Sequence, residues 1–201
     1  MKVKNWMVKE LVTISPESSI EEAIQLMKVH AIRHLPVVKE GQMVGFITES
    51  DIRQFLFPAM VSKMNIGDVM IKDPITISPD DSVEEAARII YRHKIGGLPV
   101  VTNEGNLVGI ITVTDLLAAF VELMGLLRQS SRIDVIPATK EGSFEEIVQI
   151  IRSFGVEIIS IGMDTQPPFE KVHYIRLETC DLRPIVSALE EAGHRVISVL
   201  E

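Results

Sequence analysis

Two threonine–aspartate pairs at one spacing, Thr48 with Asp51 and Thr112 with Asp115, are the side chains of this 201-residue chain best suited to hold a polar ligand. An ionised aspartate only accepts hydrogen bonds, which suits the vicinal hydroxyls of a ribose, while a threonine hydroxyl can donate to phosphate oxygens. Each pair stands where a helix is expected to begin, and a helix N-terminus gathers unpaired amides and positive dipole that favour anionic oxygens. The same spacing is also a capping box, in which the two residues satisfy each other's backbone amides with no ligand at all. Spacing alone leaves both readings open.

Other reactive residue types form no constellation. His30 and His93 recur at equivalent places, each at the end of a helical pattern, where an imidazole complements the dipole. His34, His173 and His194 have no partner at metal-ligand spacing, and the single cysteine, Cys180, has neither a disulfide partner nor a nearby histidine to activate it. No His-Glu-x-x-His motif and no phosphate-binding Gly-rich lysine loop occurs. With no nucleophile, base and orienting group to assemble, the sequence predicts no catalytic residue and no metal site.

The elements that must position the two pairs come as an internal repeat. WMVKELVTISPESSIEEAIQLM from Trp6 returns as VMIKDPITISPDDSVEEAARII from Val69, and RHLPVV returns as GGLPVV, with Pro36 matching Pro99. VGFITESDI then matches VGIITVTDL one inserted residue later, Gly45 against Gly109 and Asp51 against Asp115. A unit of roughly 60 residues buries too little apolar surface to stand comfortably alone, so the copies are expected to pack face to face and to create related clefts. In each copy the β-branched runs Leu11 to Ser15 and Pro74 to Ser78 predict a short strand, stopped by Pro16 and Pro79. Ser19 with Glu22 and Ser82 with Glu85 then open a helix. Ile20, Ala23, Ile24 and Met27, like Val83, Ala86, Ala87 and Ile90, supply its buried stripe. The following apolar runs, broken by glycine-containing turns, predict a hairpin, and a second helix opens at Asp51 or Asp115.

This order of strand, helix, hairpin and helix, with the LPVV strand and the Thr-x-x-Asp close in both copies, resembles a tandem pair of CBS domains over about residues 1 to 128. The resemblance implies an adenine-nucleotide sensor, binding AMP, ADP, ATP or a related adenosyl ligand in clefts between the copies. It implies one site from Thr112 and Asp115 with Lys4, Lys9, Ile32 and Arg33, and a second from Thr48 and Asp51 with Gly67, Lys72, Ile95 and Gly96. Charge-assisted bonds to phosphate are the strong kind, so the first site is expected to favour phosphate, whereas glycines replace two of its cations in the second. Gly96 and Gly97 read equally well as turn glycines.

After Gly125 and the polar run Arg128 to Ser131 the pattern changes. A strand with Ile133 and Val135 on one face leads to a helix capped by Ser143 with Glu146, striped by Phe144, Ile147, Val148 and Ile151 and closed by Gly155. Two strands around a loop with Pro167 and Pro168 follow, then a helix from Asp181 with Leu182, Ile185 and Leu189, and a last strand after Gly193. The whole chain is thus expected to be α/β (α+β), a CBS pair over 1–65 and 66–129 and a ferredoxin-like βαββαβ domain over 130–201. The tail resembles an ACT domain, which implies amino-acid binding or dimerisation. Thr139 stands where the commoner pattern has the aspartate that would meet a ligand's ammonium, so pairing is favoured and a homodimer expected. The combination is similar to the acetoin-utilisation family of regulators, which implies signalling to a regulated enzyme rather than catalysis. An amino-acid sensor acting through the tail is the alternative, and an enzyme of acetoin metabolism a remoter one.

Composition bounds the partners. A net charge of −8 without a basic run argues against nucleic acid. Glu122 and Arg128 interrupt the longest apolar stretch, so no membrane span is expected, and the N-terminal MKVKNWMVKE lacks a signal-peptide core, so a cytoplasmic protein is expected.

Overall fold

The computed structural model describes residues 1–55, 64–166 and 170–200. The chain divides into two compact units, Met1–Leu117 and Ala118–Glu201. The first carries the repeat. It runs α1 (Ile20–Val29), β1 (His34–Lys39), β2 (Gln42–Thr48), α2 (Glu49–Arg53), α3 (Ile66–Val69), α4 (Val83–His93), β3 (Gly97–Val101), β4 (Leu107–Thr112) and α5 (Val113–Leu123), the last continuing past Leu117 into the second unit. No described helix is long and apolar enough to cross a membrane.

Local chemistry sets these elements. Ser19 and Ser82 accept from the Glu22 and Glu85 amides at 3.1 and 3.0 Å, which starts α1 and α4. Their apolar stripes then bury Ile20, Ala23 and Met27 in one copy, and Val83, Ala86 and Ile90 in the other. Ile24, expected in the stripe, stays 36% exposed. The LPVV runs form the inner strands of antiparallel hairpins β1–β2 and β3–β4, each with a register shift at the matching valines, Val37/Val38 and Val100/Val101. Leu35, Val37, Leu98 and Val100 are fully buried, at roughly 1.5–3 kcal/mol of transfer free energy for each side chain.

The strands expected over Leu11 to Ser15 and Pro74 to Ser78 shrink to single parallel bridges, Ile14 with Val37 and Ile77 with Val100. Ile14 donates to the Pro36 carbonyl at 3.0 Å and accepts from Val38 at 2.8 Å. The next ladder bond on one side would need an N–H from Pro36, and on the other from Pro16; neither residue has one. Pro79 and Pro99 stop the second copy in the same way.

The segments that lead each copy cross to the other. Val3, fully buried, donates to Asp81 at 3.0 Å, and Val8 pairs with Ile110 on β4. Reciprocally, Ile71 pairs with Phe46 on β2, and the Gly67 amide bonds the Pro16 carbonyl at 2.8 Å. Gly109 and Gly45 admit this exchange. A Cβ on Gly109 would stand 2.5 Å from Met7 Sδ and 3.0 Å from the Val8 carbonyl, and one on Gly45 2.4 Å from Met70 Sδ and 3.0 Å from the Ile71 carbonyl.

The second unit contains β5 (Ser130–Ile136), α6 (Ser143–Ser153), β6 (Ile158–Gln166), β7 (Glu170–Glu178), α7 (Arg183–Glu191) and β8 (Arg195–Leu200). Its strands form one sheet in the order β6-β7-β5-β8 with every neighbour antiparallel, the βαββαβ topology that the pattern predicts. Ile133, Val135, Ile147, Ile151, Ile175, Leu177, Ile185 and Leu189 make its core. Two details differ from expectation. Gly142, in the left-handed region, caps α6, while Ser143 turns its hydroxyl back to the Lys140 carbonyl at 2.6 Å. The polar run 128–131 is only partly a join, because Ser130 and Ser131 already belong to β5 and Ser131 is fully buried, its Oγ accepting from the Cys180 amide. The loop expected around Pro167 and Pro168 lies outside the described residues.

Candidate functional site

One continuous cleft of about 920 Å³ opens between the two copies of the repeat. That is within the roughly 300–1,000 Å³ usual for small-molecule sites. β2 delivers Thr48 to the head of α2, and β4 delivers Thr112 to the head of α5, so the cleft has two related ends.

At each end the threonine and aspartate cap the helix. The Thr48 amide and hydroxyl both donate to Asp51 Oδ2, at 2.9 and 2.7 Å, and the Asp51 amide donates back to Thr48 Oγ1 at 3.3 Å. Thr112 and Asp115 repeat the set at 2.8, 2.7 and 3.5 Å. Cap and ligand site are nonetheless compatible. All of these bonds to carboxylate fall on Oδ2, which leaves Oδ1 of each aspartate to accept from a ligand hydroxyl. The threonine hydroxyl gives its only proton to the aspartate, so in this geometry it is not the phosphate donor that its chemistry allowed.

Ile32, Arg33, Thr48, Asp51, Ile95, Gly96, Thr112 and Asp115 all line this cleft; Lys4, Lys9, Gly67 and Lys72 do not. Lys4 is drawn to Asp80 at 2.8 Å, a contact that holds the Asp80 carboxyl below its ordinary range. Lys9 and Lys72 sit on the leading segments of their copies but are not among the lining residues. Val8 and Glu10, and Ile71 and Asp73, line the cleft instead. Gly67 packs on Pro16, whose carbonyl would be 3.2 Å from an added Cβ. The backbone also groups the lining residues by copy. The Glu49 amide donates to the Arg33 carbonyl at 3.0 Å, and that of Val113 to the Gly96 carbonyl at 3.1 Å. Ile32 and Arg33 thus stand beside Thr48 and Asp51 of their own copy, and Ile95 and Gly96 beside Thr112 and Asp115. Of the cations expected together at the Asp115 end, Arg33 lines the cleft and Lys4 and Lys9 do not, and the Arg33 backbone adjoins the head of α2.

His34 is the residue that sequence reasoning passed over. It pairs with Thr48 across the first hairpin, stacks on Phe46 at 5.9 Å between centroids, and lines the cleft. Its counterpart in the repeat is Gly97, and this mismatch was the signal available in the sequence. Burial, and next the positive charge of Arg33, hold its pKa below the ordinary value, while Asp51 and Asp115 pull the other way. Gly96 and Gly97 are accounted for by this ring and not by a turn, since neither has a positive φ. A Cβ on Gly96 would lie 2.8 Å from His34 Nε2, and one on Gly97 3.2 Å from the Ile111 carbonyl and 3.4 Å from the same nitrogen. Gly96→Ala is therefore expected to destabilise the first unit by about 1–2 kcal/mol, as overpacking does, with most of the loss recovered in the His34→Ala/Gly96→Ala double variant. Urea unfolding of the four proteins measures this coupling.

In the second unit a polar network ties down the loop between β5 and α6. His194, its side chain fully buried, accepts from the Ala138 amide on Nδ1 at 3.1 Å and faces Glu146 with Nε2 at 3.2 Å. Glu146 in turn meets Lys140 at 2.7 Å. Burial keeps His194 below the ordinary imidazole pKa, with Glu146 opposing the shift.

The fold of the first unit has solved counterparts. The CBS domain pair of protein MJ0100, in complex with 5'-methylthioadenosine and S-adenosyl-L-methionine, matches with a TM-score of 0.56 at 34% identity, covering 61% of this chain and 97% of that one. CBSX2 in complex with AMP matches at 0.56 and 26% identity, over 63% and 98%. A protein of Vibrio cholerae named for acetoin utilization, AcuB, matches at 0.56 and 29% identity, over 63% and 95%. Inosine-5'-monophosphate dehydrogenase of Korarchaeum cryptofilum is 38% identical over 114 residues, which are 57% of this chain and 23% of the enzyme. The chain therefore spans about a quarter of the length of such a relative. The CBS domain family matches residues 3–58 and again 66–122, more than half of the sequence. The chain belongs to the CBS domain family and carries that domain twice.

Proposed function

We propose that this chain is a non-catalytic sensor whose cleft binds an adenine nucleotide, AMP, ADP, ATP or a related adenosyl ligand, and that the packing of its two CBS copies reports the binding to a partner. The observation that carries this reading is the pair of aspartates, one at each end of a single cleft, each with one carboxylate oxygen committed to its cap and the other left for ribose hydroxyls. Apolar side chains such as Ile32, Ile71, Ile95 and Ile110 offer the faces on which an adenine ring packs. The complexes of MJ0100 with adenosyl ligands and of CBSX2 with AMP support the ligand class. In this reading Arg33, whose backbone adjoins the head of α2, gives the Asp51 end the preference for phosphate.

The tail, taken as an ACT-like domain over 130–201 following CBS domains over 1–65 and 66–129, serves in this reading as a homodimerisation element. The loop where ACT domains take amino acids already has its polar groups engaged by His194, Glu146 and Lys140, which favours pairing over amino-acid sensing. A cytoplasmic regulator of an enzyme in acetoin or acetate metabolism fits the likeness to AcuB. Calorimetric titration with AMP, ADP, ATP, adenosine and S-adenosyl-L-methionine is expected to show saturable binding of at least one, against none for a guanine or pyrimidine nucleotide. Equal binding of all bases, or of none, would reject the adenine assignment.

A further inference from the structure

Resting on the adenine-nucleotide reading, we infer that His34 is the specificity-determining residue that separates phosphate-bearing from uncharged adenosyl ligands, by taking up a proton when a phosphate enters the cleft. The position of the ring carries this inference. From its place opposite Thr48 it reaches across to Gly96 and Gly97, the residues beside Thr112, so one imidazole stands between the two ends. The repeat offers no second such group, because the matching position is Gly97 and the glycine pair leaves the space that the ring fills.

The charges around it set the direction of the effect. Arg33, the residue before it, disfavours the imidazolium, and Asp51 on α2 and Asp115 on α5 favour it; Glu10, Glu49, Arg53, Asp73 and Lys94 line the same cleft. Burial dominates in the free protein and keeps the ring neutral near pH 7. A phosphate brought beside it adds negative charge in a partly dehydrated place, where charge-assisted bonds are strong, and so raises the imidazole pKa in the complex. Linkage then fixes the sign. The complex binds more protons than the free protein between the free-state and bound-state pKa values, so phosphate affinity rises as pH falls through that window and levels off below the free-state value. Adenosine and 5'-methylthioadenosine carry no charge to raise the pKa and gain nothing.

The test is the ratio of adenosine to AMP dissociation constants from pH 8 to pH 6, by calorimetry on the full chain and on His34→Gln. A phosphate group titrates near pH 6 in its own right, but both proteins meet the same ligand, so comparing them isolates the imidazole. A rise of one unit in the pKa of His34 on binding corresponds to a gain in AMP preference that grows as pH falls and reaches about tenfold only below the free-state pKa, present in the wild type and absent from the variant. The His34 ring resonances of the wild type, followed by NMR, should titrate at higher pH with AMP than without it, which keeps the test open even if His34→Gln folds poorly. Identical pH profiles in the two proteins, or a His34 titration unmoved by AMP, would overturn the inference and leave the adenine reading standing. Failure of both adenosine and AMP to bind would overturn this inference, and failure of ADP, ATP and S-adenosyl-L-methionine as well would overturn the adenine reading with it.

Discussion

Replacing both Asp51 and Asp115 with alanine is expected to weaken adenosine and AMP binding by roughly 10- to 150-fold while the protein remains folded. A hydrogen bond to a charged acceptor contributes about 1.5–3 kcal/mol, or roughly 10- to 150-fold in affinity, and each end of the cleft loses the acceptor on which a ribose would rest. The same substitutions remove two capping boxes, each at a cost of about 1 kcal/mol, so a modest drop in melting temperature accompanies the loss of binding. Asp51→Asn and Asp115→Asn separate the two effects. An asparagine oxygen can still accept from the threonine amide, so stability should largely return, whereas the charge offered to the ribose does not. Wild-type affinity in a folded double-alanine protein would show that the aspartates serve only their helices. Calorimetry beside thermal melting gives both quantities on the same samples.

The second large effect is structural. Gly45→Ala and Gly109→Ala are each expected to cost about 2–3 kcal/mol, near the upper end for overpacking, because the added methyl meets a main-chain carbonyl as well as a methionine. Met70 or Met7 could swing away, but the Ile71 and Val8 carbonyls are held by the bridges to Phe46 and Ile110. The substitution therefore pushes out the leading segment of the other copy, and with it the wall formed by Glu10 to Val12 or by Asp73 to Ile75. Denaturant unfolding should show the loss of stability. Nucleotide affinity should fall with it, although neither glycine lines the cleft. A neutral effect on unfolding would mean that the leading segments are not locked across the copies.

Much of this arrangement could be read from the residues. The repeat, its helix starts, the hairpins and the capped aspartates depend on local chemistry, namely a serine three residues before a glutamate, a proline that ends a strand and a glycine in a turn. What escaped depends on contacts distant in sequence. The strands that composition predicts around Ile14 and Ile77 shorten to single bridges, because β-branched residues say nothing of a partner strand whose proline cannot donate. Lys9 and Lys72 fall one residue from lining positions, and in segments that bend, composition does not say which residues face the cleft. That the Arg33 backbone adjoins the head of α2 depends on a bond from the Glu49 amide that no sequence spacing announces. His34 has no partner at ligand spacing in the sequence, although its neighbours in space, Phe46 and the pair Gly96 and Gly97, come from two other places in the chain. In the tail, Ser143 and Glu146 looked like a capping box, yet the glycine one residue earlier could adopt the left-handed conformation and took the cap position.

The most direct test of the central claim is a structure of the full chain grown with AMP. The account predicts the nucleotide in the cleft between the CBS copies, its ribose hydroxyls on Oδ1 of Asp51 or Asp115, its adenine among the isoleucines, and its phosphate on the side of Arg33 and His34. A nucleotide seated outside the cleft, or a ribose turned away from both aspartates, would contradict it.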